Sequence, residues 1–100
     1  MISRSVTIGN ELGMHARAAA KFVHLAARFE SRIRVAARGR ETDGKSIMGL
    51  LLLAEARGTS ITISAEGPDE ADAATALASL VASGFDEDDS APVGAAGGTR

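Results

Sequence analysis

Gly13-Met14-His15-Ala16-Arg17-Ala18 is the stretch on which the reading of this chain turns. Ahead of it, Ile2, Val6 and Ile8 fall on one face of an extended segment, and Gly9-Asn10 and Gly13 supply turn residues. Behind it, Ala19, Phe22, Val23, Ala26 and Phe29 recur at the three- and four-residue spacing of a helix with one buried side. A strand pattern thus gives way to a helical one, and His15 stands at the expected helix start. Such a start presents backbone N–H groups without intrahelical acceptors and the positive end of the helix dipole, so it favours an anion and disfavours an imidazolium. A neutral imidazole keeps one ring nitrogen with a free lone pair, a nucleophile. Arg17 adds a guanidinium suited to a phosphate. Spacing alone favours a plainer account, in which an exposed histidine serves as a poor helix cap and Arg17 is merely solvated.

Working outward, Arg32 to Arg38 alternates, with Ile33, Val35 and Ala37 on one face, which predicts a half-buried strand. Gly39 turns it, and Arg40 to Asp43 reads as a short polar strand at a sheet edge. After Gly44, Ser46 is a good N-cap for a short helix from Ile47 to about Ala54, nearly all of it apolar. Gly58 ends that region. Ile61, Ile63 and Ala65 mark a last strand, and Gly67-Pro68-Asp69 turns into a last helix packing through Ala74, Leu77, Leu80 and Val81, with Asp69, Glu70 and Asp72 complementing its N-terminus.

The predicted order is strand, helix, strand, strand, helix, strand, helix. Segments this short cannot cover two sheet faces, so an α+β arrangement with the helices on one side of an antiparallel sheet is expected. From Gly84 onward there is little to bury. The expected organisation is one domain over residues 1–85 and a tail over 86–100, acidic then Gly/Ala-rich and disordered.

The chain has 45% hydrophobic residues, 24% charged residues, three aromatics, all Phe, and no cysteine. Disulfides and thiolate chemistry are therefore excluded. Two histidines without clustered acids give a metal site little support, and no cofactor is implied. Neither a long apolar run nor a charged-then-apolar leader is present, so a cytoplasmic protein without membrane insertion is expected. The formal charge of −2 divides unevenly: residues 1–85 carry ten Lys and Arg against nine Asp and Glu, whereas the tail sets Asp86, Glu87, Asp88 and Asp89 against Arg100. A body so close to neutral, without Tyr or Trp, is a poor fit to nucleic acid. Along the first helix Arg17, Lys21, His24 and Arg28 share one face, ordinarily a solvated stripe but also a means of steering an acidic partner.

The segment Asn10–Val23, NELGMHARAAAKFV, resembles the phosphorylation-site segment of HPr, the histidine-containing phosphocarrier family of bacterial phosphotransferase systems. Lys45–Ala54, KSIMGLLLLA, resembles the second signature of that family, and Ile61–Glu70, ITISAEGPDE, extends the resemblance, which runs from about residue 2 to about residue 85. It implies a βαββαβα two-layer open-faced sandwich with strand order 1-4-2-3. It also implies that His15 takes a phosphoryl group on Nδ1 from enzyme I, which draws it from phosphoenolpyruvate, and hands it to a IIA-type protein. The chain would then be a stoichiometric carrier rather than an enzyme, acting in sugar uptake or in nitrogen or carbon regulation.

By the same resemblance Arg17 is the phosphate clamp, and Leu50 and Leu53 are buried. Ile47, Met48 and Leu51, with Ala16 and Lys21, form the partner-binding surface. Ser46 matches the serine that a dedicated HPr kinase/phosphorylase modifies in some bacteria, where a phosphate would place negative charge in the docking patch. One departure is Ala18, where the family most often has proline; alanine should leave the helix start less rigid. The HARAA wording is closer to the nitrogen-regulatory or regulatory-only branch, which keeps a second reading open: a binding module switched at Ser46 without relay through His15. Nothing in the sequence argues for an oligomer.

Overall fold

A computed structural model describes residues 1–10, 13–53 and 58–86. Seven elements follow the expected order: β1 (Ile2–Thr7), α1 (Ala16–Ala26), β2 (Arg32–Ala37), β3 (Arg40–Asp43), α2 (Ile47–Leu53), β4 (Ser60–Glu66) and α3 (Glu70–Ala82). The four strands form one antiparallel sheet in the order β1-β4-β2-β3.

Period-two alternation decides which face of the sheet is covered. Ile33, Val35 and Ala37 of β2 and Ile61, Ile63 and Ala65 of β4 turn inward and are buried. The alternate positions form the open face, where Ser3 meets Ser64 at 2.9 Å, Ser5 meets Thr62 at 3.3 Å and Thr7 meets Ser60 at 3.1 Å across β1 and β4. Ile8 continues the pairing beyond β1, its N–H donating to the Thr59 carbonyl at 2.9 Å while its own carbonyl accepts from Gly58 at 2.7 Å. The β2–β3 hairpin turns on Arg38 (φ 52°) and Gly39 (φ 78°), both left-handed, as a tight two-residue hairpin requires.

The helices cover the other face. α1 buries Ala18, Ala19, Phe22 and Ala26, with Val23 and Phe29 half-buried, and α3 buries Ala73, Ala74, Leu77 and Val81. α2 inserts Leu50, while Leu53 is only half-buried. Gly49 lets α2 approach β3 closely, since a Cβ there would stand 3.0 Å from the Thr42 Cβ.

Asp69, Glu70 and Asp72 stand at the N-terminus of α3, with Asp69 at the N-cap position. The Asp69 side chain makes no cap bond; it accepts hydrogen bonds from the Glu30 and Ser31 N–H groups, both at 2.9 Å, and from the Ser31 hydroxyl. It fastens the α1–β2 loop to the start of α3. One expectation needs correction, at the end of the fold. Far from being the start of a tail with little to bury, Gly84 and Phe85 are buried, and Phe85 is a fully enclosed core side chain. Gly84 (φ 72°) and Phe85 (φ 62°) wrap the chain back over the last turn of α3, with the Phe85 N–H donating to the Leu80 carbonyl at 2.9 Å. Residues 87–100, which hold most of the expected tail, lie outside the described residues, as does Ala54.

Candidate functional site

The site is a short outward arc held between buried anchors. Met14 on one side and Ala18 and Ala19 on the other are almost wholly enclosed, whereas Ala16 and Arg17 are exposed and His15 is half-exposed. The preceding loop is braced around Gly13, whose φ of 68° favours glycine. Its N–H donates to the Asn10 carbonyl at 3.1 Å, and its own carbonyl accepts both the Asn10 side-chain amide at 2.8 Å and the His15 N–H at 3.0 Å. Glu11 and Leu12 of the motif lie outside the described residues.

His15 is the N-cap of α1, with extended backbone (φ −82°, ψ 178°) and no capping bond from its side chain. The first intrahelical bond runs from the Ala19 N–H to the His15 carbonyl at 2.8 Å. The N–H groups of Ala16, Arg17 and Ala18 precede that bond, so the helix itself offers them no acceptor. No acidic residue occupies the first turn. Ala18 therefore has a consequence beyond stiffness: unlike proline, it adds a third N–H to this set.

The second element of the site is α2, which packs against α1. Ser46 caps it: its hydroxyl accepts from the Gly49 N–H at 3.1 Å and its carbonyl accepts from the Leu50 N–H at 3.1 Å. Ile47, Met48 and Leu52 are the exposed apolar residues of α2, at 40%, 65% and 68%, while Leu51 is half-buried against the core. Of the three expected patch residues, Ile47 and Met48 are well exposed and Leu51 only partly so. The sequence reading overlooked Leu52, four residues after Met48 and hence on the same helical face.

Arg17 and His24 of α1 and Arg28 in the turn after it are exposed, but Lys21 is half-buried and its ammonium donates to the Phe85 carbonyl at 2.7 Å. Lys21 is thus a structural tie to the end of the fold. A cleft of about 620 Å³ beyond the far end of α1, lined by residues including Glu30, Arg32, Asp43, Lys45 and Glu66, contains none of the candidate site residues. Among the described residues no cluster of His, Asp or Glu has the arrangement of a metal site, and no helix is long and apolar enough to cross a membrane.

Comparison with known proteins bears directly on this arrangement. The profile of the family described as PTS HPr component phosphorylation site matches residues 2–83. The chain is 46% identical over 87 residues to the phosphocarrier protein HPr of Cupriavidus necator, covering 87% of this chain and 98% of that protein. It is 40% identical to the phosphocarrier protein NPr of Escherichia coli, again covering 87% of this chain and 98% of the relative. The crystal structure of HPr-C-His from Thermoanaerobacter tengcongensis superimposes with a TM-score of 0.84 at 41% identity, covering 88% of this chain and 99% of that one. With the fold, the strand order and nearly the full length of its relatives in agreement, the chain belongs to the HPr family of phosphocarrier proteins.

Proposed function

We propose that this chain carries a phosphoryl group on His15, received from enzyme I, where it originates in phosphoenolpyruvate, and passed to a histidine of a IIA-type protein. The observation that carries this reading is the position of His15 as N-cap, before three N–H groups that have no acceptor within the helix. The Nδ1 lone pair attacks the phosphorus of the donor phosphohistidine; a P–N bond forms at His15 as the donor P–N bond breaks, and the donor imidazole leaves with the electron pair. The phosphoryl oxygens then accept from the first-turn N–H groups and from Arg17, which offset the charge they bring. Ile47, Met48 and Leu52, with Ala16 and half-buried Leu51, supply the apolar contact for partners.

Ser46 is proposed as a regulatory phosphorylation site for an HPr kinase/phosphorylase. It adjoins Ile47 and Met48, so a phosphate there would place charge beside the docking patch. The test of the relay is incubation with enzyme I and phosphoenolpyruvate. The chain should gain an acid-labile phosphate that His15→Ala abolishes while the fold persists; histidine-type phosphate on His15→Ala would overturn the assignment.

A further inference from the structure

We propose that the acidic segment Asp86-Glu87-Asp88-Asp89 is an intramolecular occupant of the basic face of α1, where it competes with the acidic surface of a partner; the competition rests on the function proposed above. The point at which the chain leaves the fold is fixed. Phe85 is fully buried, its N–H is bonded to α3, and its carbonyl accepts from the Lys21 ammonium at 2.7 Å. Phe85 and Asp86 both have left-handed backbones (φ 62° and 59°), so the chain turns sharply as it emerges beside α1.

Lys21 lies at the middle of the cationic stripe. Arg17 is one turn before it, and Arg28 is seven residues beyond, in the turn just past the end of α1; a helical rise over that many residues would be about 10 Å. Four extended residues span about 13 Å, enough to reach either end from the exit point. Residues 86–100 carry a formal −3 and residues 1–85 carry +1, and the acids come first in the tail. Among the described residues neither Arg17 nor Arg28 enters a salt bridge. Exposed ion pairs are individually weak, but a tether holds the segment at an effective concentration of about millimolar, so several together suffice for partial occupancy. Such contacts are screened once the Debye length falls to about 3 Å in molar salt.

The chain has no cysteine, so Ser90→Cys in the full-length protein accepts a single spin label. In about 20 mM salt, the amides of Arg17, His24 and Arg28 should broaden selectively over those of Ser3 and Ser5 on the open sheet face, where the Debye length exceeds 20 Å. The effect should fall at least about threefold in roughly 1 M salt, and equally in the variant Glu87→Gln, Asp88→Asn, Asp89→Asn. Equal broadening on both faces, or no loss on neutralisation, overturns the docking. The neutralised chain should also accept phosphate from phosphorylated enzyme I at least about threefold faster in low salt, with no difference in high salt. Selective broadening without that rate difference overturns the competition. If neither chain accepts phosphate, the competition falls with the phosphocarrier reading, while the broadening still decides the docking by itself.

Discussion

Phe85→Ala is expected to be among the most damaging single substitutions in the chain, although Phe85 lies at the edge of what sequence assigns to the fold. The side chain is fully buried in the cluster that includes Phe22, Leu77 and Val81. Truncating a core Phe to Ala costs about 3–5 kcal/mol, through lost transfer energy and the cavity that remains. A domain of this size has a total stability of about 4–13 kcal/mol, so the loss is a large fraction of the whole. The backbone bonds of Phe85, from its N–H to Leu80 and from Lys21 to its carbonyl, do not involve the side chain. Alanine also meets much the same left-handed backbone penalty as phenylalanine, which isolates the packing term. At about 4–8 °C per kcal/mol, the midpoint of thermal unfolding should fall by at least about 12 °C. Phe85→Gly should be no worse than Phe85→Ala, because glycine accepts a φ of 62° without strain. The assay is thermal and urea unfolding of full-length variants followed by circular dichroism. A loss below about 1 kcal/mol for Phe85→Ala would refute the assignment of this residue to the core.

Three further outcomes follow from named contacts. The Ser31 hydroxyl, then the Glu30 N–H, hold the Asp69 carboxyl below its ordinary value of 3.8. The stabilisation this confers is fully present above that value and is lost as pH falls through the lower folded value. Acid titration of unfolding should therefore show a loss below about pH 4 that is smaller in Asp69→Asn. Ala18→Pro removes one N–H from the set facing a phosphoryl group on His15. It should keep the fold and shift the phosphotransfer equilibrium with enzyme I about tenfold toward the donor, the equivalent of one hydrogen bond to a charged group; an unchanged equilibrium would show that this N–H does not contribute. Leu52→Glu, at a residue 68% exposed, should alter stability by no more than about 0.5 kcal/mol and weaken enzyme I binding measured by calorimetry; unchanged affinity would remove Leu52 from the docking patch.

Element order was legible because each element announces itself locally. The alternation at Ile33, Val35 and Ala37, the helical spacing from Ala19 to Ala26, and the glycines between elements are readable without tertiary knowledge. The position of His15 as N-cap was legible for the same reason. What escaped depends on contacts distant in sequence. Phe85 follows a glycine and precedes four acids, so its surroundings read as solvent; only the core formed by α1 and α3 gives it a place. Asp69 was legible as a charge at a helix start, but its bonds to Ser31, 38 residues away in sequence, were not. Lys21 fitted a charged stripe by spacing, and only the path of the chain at residue 85 turns it into a tie. Within α2 nearly every residue is apolar, so composition could not distinguish buried Leu50 from exposed Leu52.

The anchors also explain how an exposed site remains well positioned. His15, Ala16 and Arg17 contribute little to the buried core, so on the proposed relay selection for transfer can act on them at small cost in stability. Their geometry is set by residues closed off from solvent. Met14 and Ala18 are enclosed on either side, and the braced Gly13 carbonyl fixes the direction from which the backbone enters the helix. On the proposed relay, a change at Met14 would act on transfer through the placement of His15, whereas a change at His15 would remove the phosphoryl acceptor itself. Accommodating the phosphoryl charge requires donors already in place, because reorganising them at each transfer would add to the barrier. A helix start supplies such donors from the backbone, which a neighbouring side-chain substitution does not remove. The exception is proline, and position 18 is the place in this motif where the choice between proline and alanine sets whether three such groups or two would face a phosphoryl group carried on His15 as proposed.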